Sequence, residues 1–181
     1  SSDVCSSDLP TGSVYSHEEL ADLAEVIKKH EGVYVMADEI YEHINYIGKH
    51  ASIAKIEGMK ERSIIVNGVS KAYAMTGWRI GYIAAPEWIV KGCNKLQGQY
   101  TSGPCSVSQK AAEAAYTLEQ GCVEDMRKAF ERRRDLIVKL AKDIPGLEVN
   151  VPEGAFYLFP KCSSFFGKSN GEKTINNSTD F

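Results

Sequence analysis

The sequence has no run of about eighteen apolar residues, the length that a membrane-spanning helix requires, so we expect no membrane span. Its five cysteines include no Cys-x-x-Cys pair, and their number is odd. A disulfide framework is therefore not indicated, and a reducing, cytoplasmic setting is favoured. The net charge of −3 leaves no excess of basic residues for binding nucleic acid. The densest basic run, residues 131–135, is flanked by acids and is interpreted as a solvated helix face.

What the sequence does contain is enough apolar material for a core. Hydrophobic residues make up 43% and charged residues 25% of the 181 residues, which is ordinary for a globular chain of one domain or slightly more. Ser16 and Glu19 form a capping-box pattern that starts a helix, and Gly32 ends it. Apolar strands, the first of them buried, are predicted at residues 33–41, 63–70 and 79–85, with further helices at 86–99, 106–120 and 123–144. This alternation predicts an α/β fold with a mostly parallel central sheet and helices on both faces.

The two ends of the sequence differ from its middle. Residues 1–9 repeat Ser-Ser-Asp without a helical or strand period, so we interpret them as a non-native leader and leave them out of the fold prediction. Residues 10–135 are predicted to form part of a large domain. After a Pro-Gly break, residues 147–160 have the pattern of two further strands. Residues 136–181 are therefore predicted to start a small C-terminal domain that ends in a flexible polar loop.

Polar side chains stand at the ends of the predicted strands. Asp38 and Tyr41 follow the first strand, Ser70 and Lys71 follow the second, and Arg79 opens the third. Open α/β sheets bind ligands at the carboxyl ends of their strands, and neighbouring strands bring such residues within about 5–10 Å of each other. Arginine and serine suit a phosphate, a lysine amine suits a carbonyl, and a carboxylate suits an aromatic cation. Pyridoxal phosphate carries all three groups.

Other interpretations of these residues remain open from the sequence. Taken singly, Asp38 could cap a helix and Arg79 could pair with an acid. Glu39, Glu42 and His43 lie close enough in sequence to suggest a metal site, but their spacing matches no metalloprotease motif. We therefore predict that the site holds no metal.

Several stretches resemble one enzyme family. The stretch GVSKAYAMTGWRIG at residues 68–81 resembles the cofactor-lysine signature of fold-type I, class I/II aminotransferases. The stretch ADEIY at 37–41 is similar to the aspartate-tyrosine element of the family, and LPTG at 9–12 to its Asn-Pro-Thr-Gly turn. PEGAFYLFP at 152–160 resembles the start of the small C-terminal domain. Among family members, the bacterial aspartate aminotransferases are the most similar in these stretches.

The resemblance implies a fold, a cofactor and a role for each site residue. The fold would be the large domain of the pyridoxal-phosphate transferases, followed by the start of a small α+β C-terminal domain. Lys71 would form the Schiff base with pyridoxal phosphate and afterwards move a proton, and Asp38 would pair with the pyridine nitrogen. Tyr41 would donate to the 3′ oxygen of the cofactor, and Ser70 and Arg79 would hold its phosphate.

The resemblance also implies the substrates and the partner. An amino group would pass from an amino acid, aspartate by similarity, to a 2-oxo acid such as 2-oxoglutarate. The enzyme would be a cytoplasmic homodimer with active sites at the subunit interface. Residues 98–106 are a candidate for reaching the neighbouring site, although a solvated surface loop is an equal interpretation.

The sequence departs from the family pattern at two positions. Leu9 stands where the turn carries asparagine, and Gly68 stands where many relatives carry a phosphate-binding serine. The amino-terminal phosphate loop and the carboxylate-binding arginine of the family have no counterpart in the chain. We therefore expect an internal fragment of an enzyme that has little or no activity by itself.

Two alternatives from other functional classes stay open. A lyase or synthase of the same fold would use the same lysine signature and the same cofactor. A non-catalytic aminotransferase-like module of a regulator would keep the lysine but not turn over substrate.

Overall fold

The computed structural model describes the backbone of residues 2–5 and all of residues 9–181. In chain order its strands and helices are β1 (Ser2–Cys5), α1 (His17–Lys28), β2 (Val35–Asp38), β3 (Ser63–Gly68), β4 (Gly81–Ala84), α2 (Glu87–Tyr100), α3 (Ser106–Thr117) and α4 (Gly121–Lys142). The three strands and four helices predicted between residues 16 and 144 are therefore confirmed, with ends that shift by a few residues. Short 3₁₀ turns lie between β2 and β3, between β3 and β4, and after α4.

The strands form one four-stranded sheet in the order β1-β2-β3-β4. β1 is parallel to β2 and β2 is parallel to β3, whereas β4 runs antiparallel to β3. β2 and β3 are joined by a long connection with 3₁₀ turns, as a parallel pair requires, while a shorter connection returns the chain into β4. The sheet is mixed, as expected for an α/β fold with a mostly parallel sheet.

β1 was not predicted. Its four residues, which the sequence analysis left out, pair in register with β2, from Ser2 opposite Val35 to Cys5 opposite Asp38. Parallel pairing uses backbone N–H and C=O groups, which every residue but proline supplies, so a strand can form without a side-chain period. The non-native origin of residues 1–9 stays a prediction, and part of that range lies outside the described residues.

Helix α1 begins at a complete capping box and buries one apolar face. The Ser16 hydroxyl accepts from the Glu19 N–H at 3.2 Å, and the Glu19 carboxylate accepts from the Ser16 N–H at 2.8 Å. Leu20, Ala24 and Ile27 recur at helical spacing and are buried against the sheet. Burying a side chain such as leucine or isoleucine contributes about 1.5–3 kcal/mol, so this face fixes α1 on the sheet.

β2 alternates between a covered and an open face. Val35 and Ala37 belong to the α1 core, whereas Met36 is 43% exposed. The strand predicted to be buried is therefore buried on one face only, because a strand with one covered face buries every second side chain. Near the exposed face, α2 approaches through Trp88, which packs edge-on against Tyr34 with ring centroids 5.4 Å apart.

Helix α4 is continuous through the predicted domain boundary at residues 135–136, and that boundary stays a prediction. The apolar residues of α4 are only partly buried. Val123 and Val138 are buried, but Ile137 and Leu140 are at least half exposed. Among the residues that the structure describes, no helix is both long and apolar enough to cross a membrane.

The segment at residues 147–160 does not form the two predicted strands. It contributes isolated bridges instead, with Glu148 opposite Lys161 and Gly154 opposite Asn45. The second bridge joins the segment to the loop after β2 rather than to a strand of its own, which leaves no continuous ladder to propagate. Close to this bridge, Phe156 and Tyr157 of the segment pack against Tyr41.

Candidate functional site

The structure brings four of the five predicted site residues to one cleft of about 460 Å³. Asp38, Ser70, Lys71 and Arg79 line it, together with Asn67, Thr76 and the apolar residues around them. The register of the sheet explains why these residues lie close together. Asp38 ends β2 opposite Val66 of β3, so the loop after β3 starts beside it. The carboxyl ends of parallel strands are where α/β sheets bind ligands.

Asp38 is held at the end of β2 by its own loop. Its Oδ1 accepts from the Ile40 N–H at 3.1 Å, a turn in which a short acidic side chain bonds the backbone two residues ahead. This bond leaves the carboxylate exposed at the cleft rather than folded away from it.

Arg79 occupies an uncommon backbone conformation. Its φ of 51° and ψ of 51° lie in the left-handed region, where residues other than glycine are rarely found. The residue ends the 3₁₀ turn at Thr76–Trp78, and its Nη1 donates to the Thr76 carbonyl oxygen at 2.9 Å. The turn thus directs the guanidinium to the cleft wall, and such conformations are concentrated at functional sites.

The Lys71 amine lies beside two aromatic rings. Its Nζ is 5.5 Å from the ring centroid of Tyr41 and 5.4 Å from that of Phe156. The faces of aromatic rings attract an ammonium group at these distances. The amine of Lys71 is therefore held near the ring of Tyr41 by contacts that need no charged partner.

Tyr41 does not line the cleft but is adjacent to it through Lys71. It is only 4% exposed, and its hydroxyl lies 3.0 Å from the hydroxyl of Tyr157. Burial raises the pKa of the Tyr41 phenol well above its ordinary value, and the charge of Asp38 raises it further. The phenol is protonated at neutral pH, so it can donate a hydrogen bond.

Sequence reasoning assigned no site role to Phe156 or Tyr157. Both lie in the segment that resembles the small domain, and that aromatic pair was the available signal. The fold places them at the site because Ala155 donates its N–H to the Ile44 carbonyl oxygen at 2.9 Å, next to the bridge between Asn45 and Gly154.

A second cluster, of acidic and histidine side chains, lies beside the cleft. Its members differ by one residue from the metal site considered from the sequence. Ligand atoms of Glu39, Glu42 and His50, rather than His43, lie within 4.8 Å of one another. His50 Nε2 is 2.9 Å from Glu39 Oε2, at an ion-pair distance but without the direction of a hydrogen bond. Glu42 Oε1 accepts from Asn67 Nδ2 at 2.8 Å. Both carboxylates thus have partners within the protein.

Comparison with known proteins gives a consistent result across sequence and structure. The family model described as aminotransferase class I and II matches residues 4–172. The chain is 48% identical over 180 residues to the bifunctional aspartate aminotransferase and glutamate/aspartate-prephenate aminotransferase of Petunia hybrida. It is 49% identical over 168 residues to the aspartate aminotransferase of Pinus pinaster. These alignments cover 97% and 91% of the chain but 38% and 34% of the two relatives, so the chain spans little more than a third of their length.

Two solved structures are similar to the fold. The crystal structure of the aspartate aminotransferase from Rhizobium meliloti matches with a TM-score of 0.93 and 42% identity, covering 98% of this chain and 45% of that one. The aromatic aminotransferase from Pyrococcus horikoshii matches with a TM-score of 0.83 and 42% identity, covering 87% of this chain and 42% of that one.

Proposed function

Since this chain belongs to the class I and II aminotransferases, we propose that it forms the cofactor-holding part of an enzyme that transfers an amino group with pyridoxal phosphate. The amino donor we propose is aspartate, and the acceptor is a 2-oxo acid such as 2-oxoglutarate. Aspartate is chosen because the relatives from Petunia hybrida and Pinus pinaster are both named as aspartate aminotransferases. The observation that carries the proposal is the shared cleft of Asp38, Ser70, Lys71 and Arg79.

The side chains of the cleft fit the cofactor. Pyridoxal phosphate presents a ring nitrogen, a carbonyl carbon and a phosphate, and the cleft offers a carboxylate, an amine, a hydroxyl and a guanidinium. A divalent metal fits less well, because lysine and arginine donate protons and have no lone pair at neutral pH. When bound, pyridoxal phosphate supplies an electron sink for the negative charge that develops on the α-carbon of the substrate.

Lys71 and Asp38 are proposed to act on opposite parts of the cofactor. Lys71 Nζ would hold the cofactor at its carbonyl carbon, with loss of water, until the amino group of the substrate displaces it. The freed Lys71 amine would then carry a proton to and from the α-carbon of the substrate. The rings of Tyr41 and Phe156 beside this amine would restrict the positions it can occupy. The Asp38 carboxylate would keep a proton on the ring nitrogen, because a negative charge at hydrogen-bond distance favours the protonated form.

Tyr41, Ser70 and Arg79 are proposed to orient the cofactor. Tyr41 would donate its phenolic proton to the 3′ oxygen of the cofactor ring. Ser70 would donate its hydroxyl to the phosphate, and the Arg79 guanidinium would offer the phosphate paired N–H donors. Together with Asp38, these contacts would fix the ring at several points around its edge.

We also propose the partner and setting that are usual for the family. The enzyme would be a cytoplasmic homodimer, in which residues 136–181 start the small domain. The link between α2 and α3, within residues 98–106, would approach the neighbouring site. Tyr100 in this stretch is 85% exposed and is available for such a contact.

The test is the absorbance of the protein that is expressed from its complete reading frame, incubated with pyridoxal phosphate and then freed of unbound cofactor. We expect a visible to near-ultraviolet band that shifts when aspartate is added, and oxaloacetate as product when 2-oxoglutarate is present. Lys71→Ala should remove the absorbance band of the lysine-bound cofactor, while Asp38 and Arg79 can still hold free cofactor. Lys142→Ala, which removes an amine at the end of α4, should leave it intact. A band with other products indicates a lyase or synthase, a band without turnover indicates a regulatory module, and no band refutes the proposal.

A further inference from the structure

We propose that Tyr157 is a positioning residue that holds the Tyr41 phenol so that Tyr41 can direct its own proton to the cofactor. The inference rests on the proposed function and assigns to it a residue from the far end of the chain. Tyr157 would not touch the reacting atoms. It would act through Tyr41.

The geometry of the two hydroxyls permits this role. Their oxygens are 3.0 Å apart, and either one can donate. A phenol has one proton to give and lone pairs with which to accept. If Tyr157 donates to Tyr41, the Tyr41 proton remains free for a second acceptor. A hydroxyl that accepts a hydrogen bond also becomes a stronger donor, because the bonds polarise one another.

The backbone around Tyr157 is anchored to the loop that follows Tyr41. Ala155 N–H donates to the Ile44 carbonyl oxygen at 2.9 Å, and the Tyr46 hydroxyl donates to the carbonyl oxygen of Ala155. These bonds hold together two tyrosines that are 116 positions apart in the chain. The hydroxyl pair therefore rests on a fixed backbone and not on a chance contact of free side chains.

A second anchor comes from the turn near the amino terminus. The carbonyl oxygen of Gly12 accepts from the N–H groups of Glu153 and Gly154, at 2.8 and 3.0 Å. The segment carrying Tyr157 is thus bonded on two sides before it reaches the site. Phe156, the residue before Tyr157, packs edge-on against Tyr41 with ring centroids 5.4 Å apart.

The arrangement links Tyr157 to the amine as well. Phe156 places its ring 5.4 Å from Lys71 Nζ, while Tyr157 meets the hydroxyl of Tyr41. Two successive residues, Phe156 and Tyr157, therefore contact the Lys71 amine and the Tyr41 hydroxyl, the two groups proposed to bind the cofactor at its carbonyl carbon and its 3′ oxygen.

The test is a double-mutant cycle in the protein expressed from its complete reading frame. Tyr41→Phe, Tyr157→Phe and the double variant each remove a hydroxyl and keep the ring. The dissociation constant for pyridoxal phosphate is measured by titration for each protein. Losing one hydrogen bond corresponds to a factor of about two to about ten, so Tyr157→Phe should weaken binding by that factor. In the Tyr41→Phe background the same change should have no effect.

A spectroscopic readout separates positioning from packing. A donor to the 3′ oxygen stabilises its negative charge, so weakening that donor should raise the pH at which the visible band changes. We expect a rise of about half a pH unit to one unit for Tyr157→Phe, and none in the Tyr41→Phe background. Tyr34→Phe is the matched control, since its ring packs on Trp88 outside the cleft lining. Tyr34→Phe should change neither the dissociation constant for pyridoxal phosphate nor the pH at which the visible band changes.

The outcomes distinguish the inference from the function on which it rests. Equal effects of Tyr157→Phe with and without the Tyr41 hydroxyl, or no effect in either, overturn the inference while the band still supports the function. Absence of any band in the unmutated protein overturns both. Circular dichroism spectra and unfolding midpoints are measured for each variant without cofactor. Similar values across the variants show that differences in affinity are not caused by unfolding.

Discussion

Gly68 at the end of β3 lies directly opposite Gly81 at the start of β4. A Cβ atom at position 68 would be 2.9 Å from the Cα of Gly81, and one at position 81 would be 2.9 Å from the Asn67 carbonyl oxygen. Cβ atoms essentially never come so close to another backbone. The two strands therefore approach each other at the mouth of the cleft because neither position has a side chain.

We predict that Gly68→Ser destabilises the fold and does not improve cofactor binding. Forcing atoms into a closely packed contact costs about 1–3 kcal/mol, so the free energy of unfolding in urea should fall by that amount. Gly92→Ser is the control, because a Cβ at Gly92 in α2 meets no atom within 4 Å. Replacing a glycine inside a helix should leave stability unchanged or raise it by up to about 1 kcal/mol. Equal stability of Gly68→Ser and the unmutated protein would contradict the role given to this glycine pair.

A second pair of glycines separates backbone strain from packing. Gly12 and Gly32 both have φ of +75°, but a Cβ at Gly12 would lie 2.6 Å from Pro152 Cβ, whereas one at Gly32 meets nothing within 4 Å. The left-handed conformation costs alanine about 1–2 kcal/mol at either position. Gly12→Ala should therefore lose a further 1–3 kcal/mol or so from the contact with Pro152. Chemical unfolding of both variants measures the difference, and similar losses would argue against docking of the turn on that segment.

The capping box of α1 predicts a pH dependence of stability. The hydrogen bond from the Ser16 backbone N–H, and then the bond with its side chain, lower the pKa of Glu19 below its ordinary value of 4.5. A carboxyl whose pKa is lower in the folded state adds stability above its unfolded pKa and loses it as the pH falls through the folded pKa. The stability difference between the protein and Glu19→Gln should therefore shrink as the pH is lowered below 4.5.

The measurement for this prediction is urea unfolding across that pH range. Glu18→Gln serves as control, since it removes the same charge from the same helical turn but leaves the capping box intact. A stability difference for Glu19→Gln that is constant with pH would show that the carboxylate does not act as a charged acceptor. Ser16→Ala should lose about 0.5–2 kcal/mol at neutral pH, because the Glu19 N–H is left without its cap.

Arg79 offers a test of how the cofactor phosphate is held. Arg79→Gln keeps a side chain of similar length but loses the charge. A charged hydrogen bond contributes about 1.5–3 kcal/mol, so affinity for pyridoxal phosphate should fall by about ten- to a hundredfold. Affinity for pyridoxal, which lacks the phosphate, should change little. Arg132→Gln, on an exposed part of α4, should alter neither affinity. Equal losses for the two ligands would place Arg79 away from the phosphate.

Much of the fold could be predicted from local patterns. The capping box at Ser16, the apolar spacing of α1 and the β-branched run of β3 each specify their element within a short window, and the structure contains all of them. β1 and the segment at 147–160 could not be predicted in this way. A backbone ladder or an isolated bridge depends on which distant segment arrives beside it, and no local period encodes that partner.

The residue types of the site were set by the sequence, because an acid, a hydroxyl, an amine and a guanidinium at successive strand ends suit the groups of one cofactor. Only the tertiary structure decided that four of them share a cleft and that the amine of Lys71 lies beside the rings of Tyr41 and Phe156. The hydroxyl pair of Tyr41 and Tyr157 was likewise beyond the sequence. Contacts between residues 116 positions apart follow from how the segments pack, and packing depends on the whole chain rather than on either stretch alone.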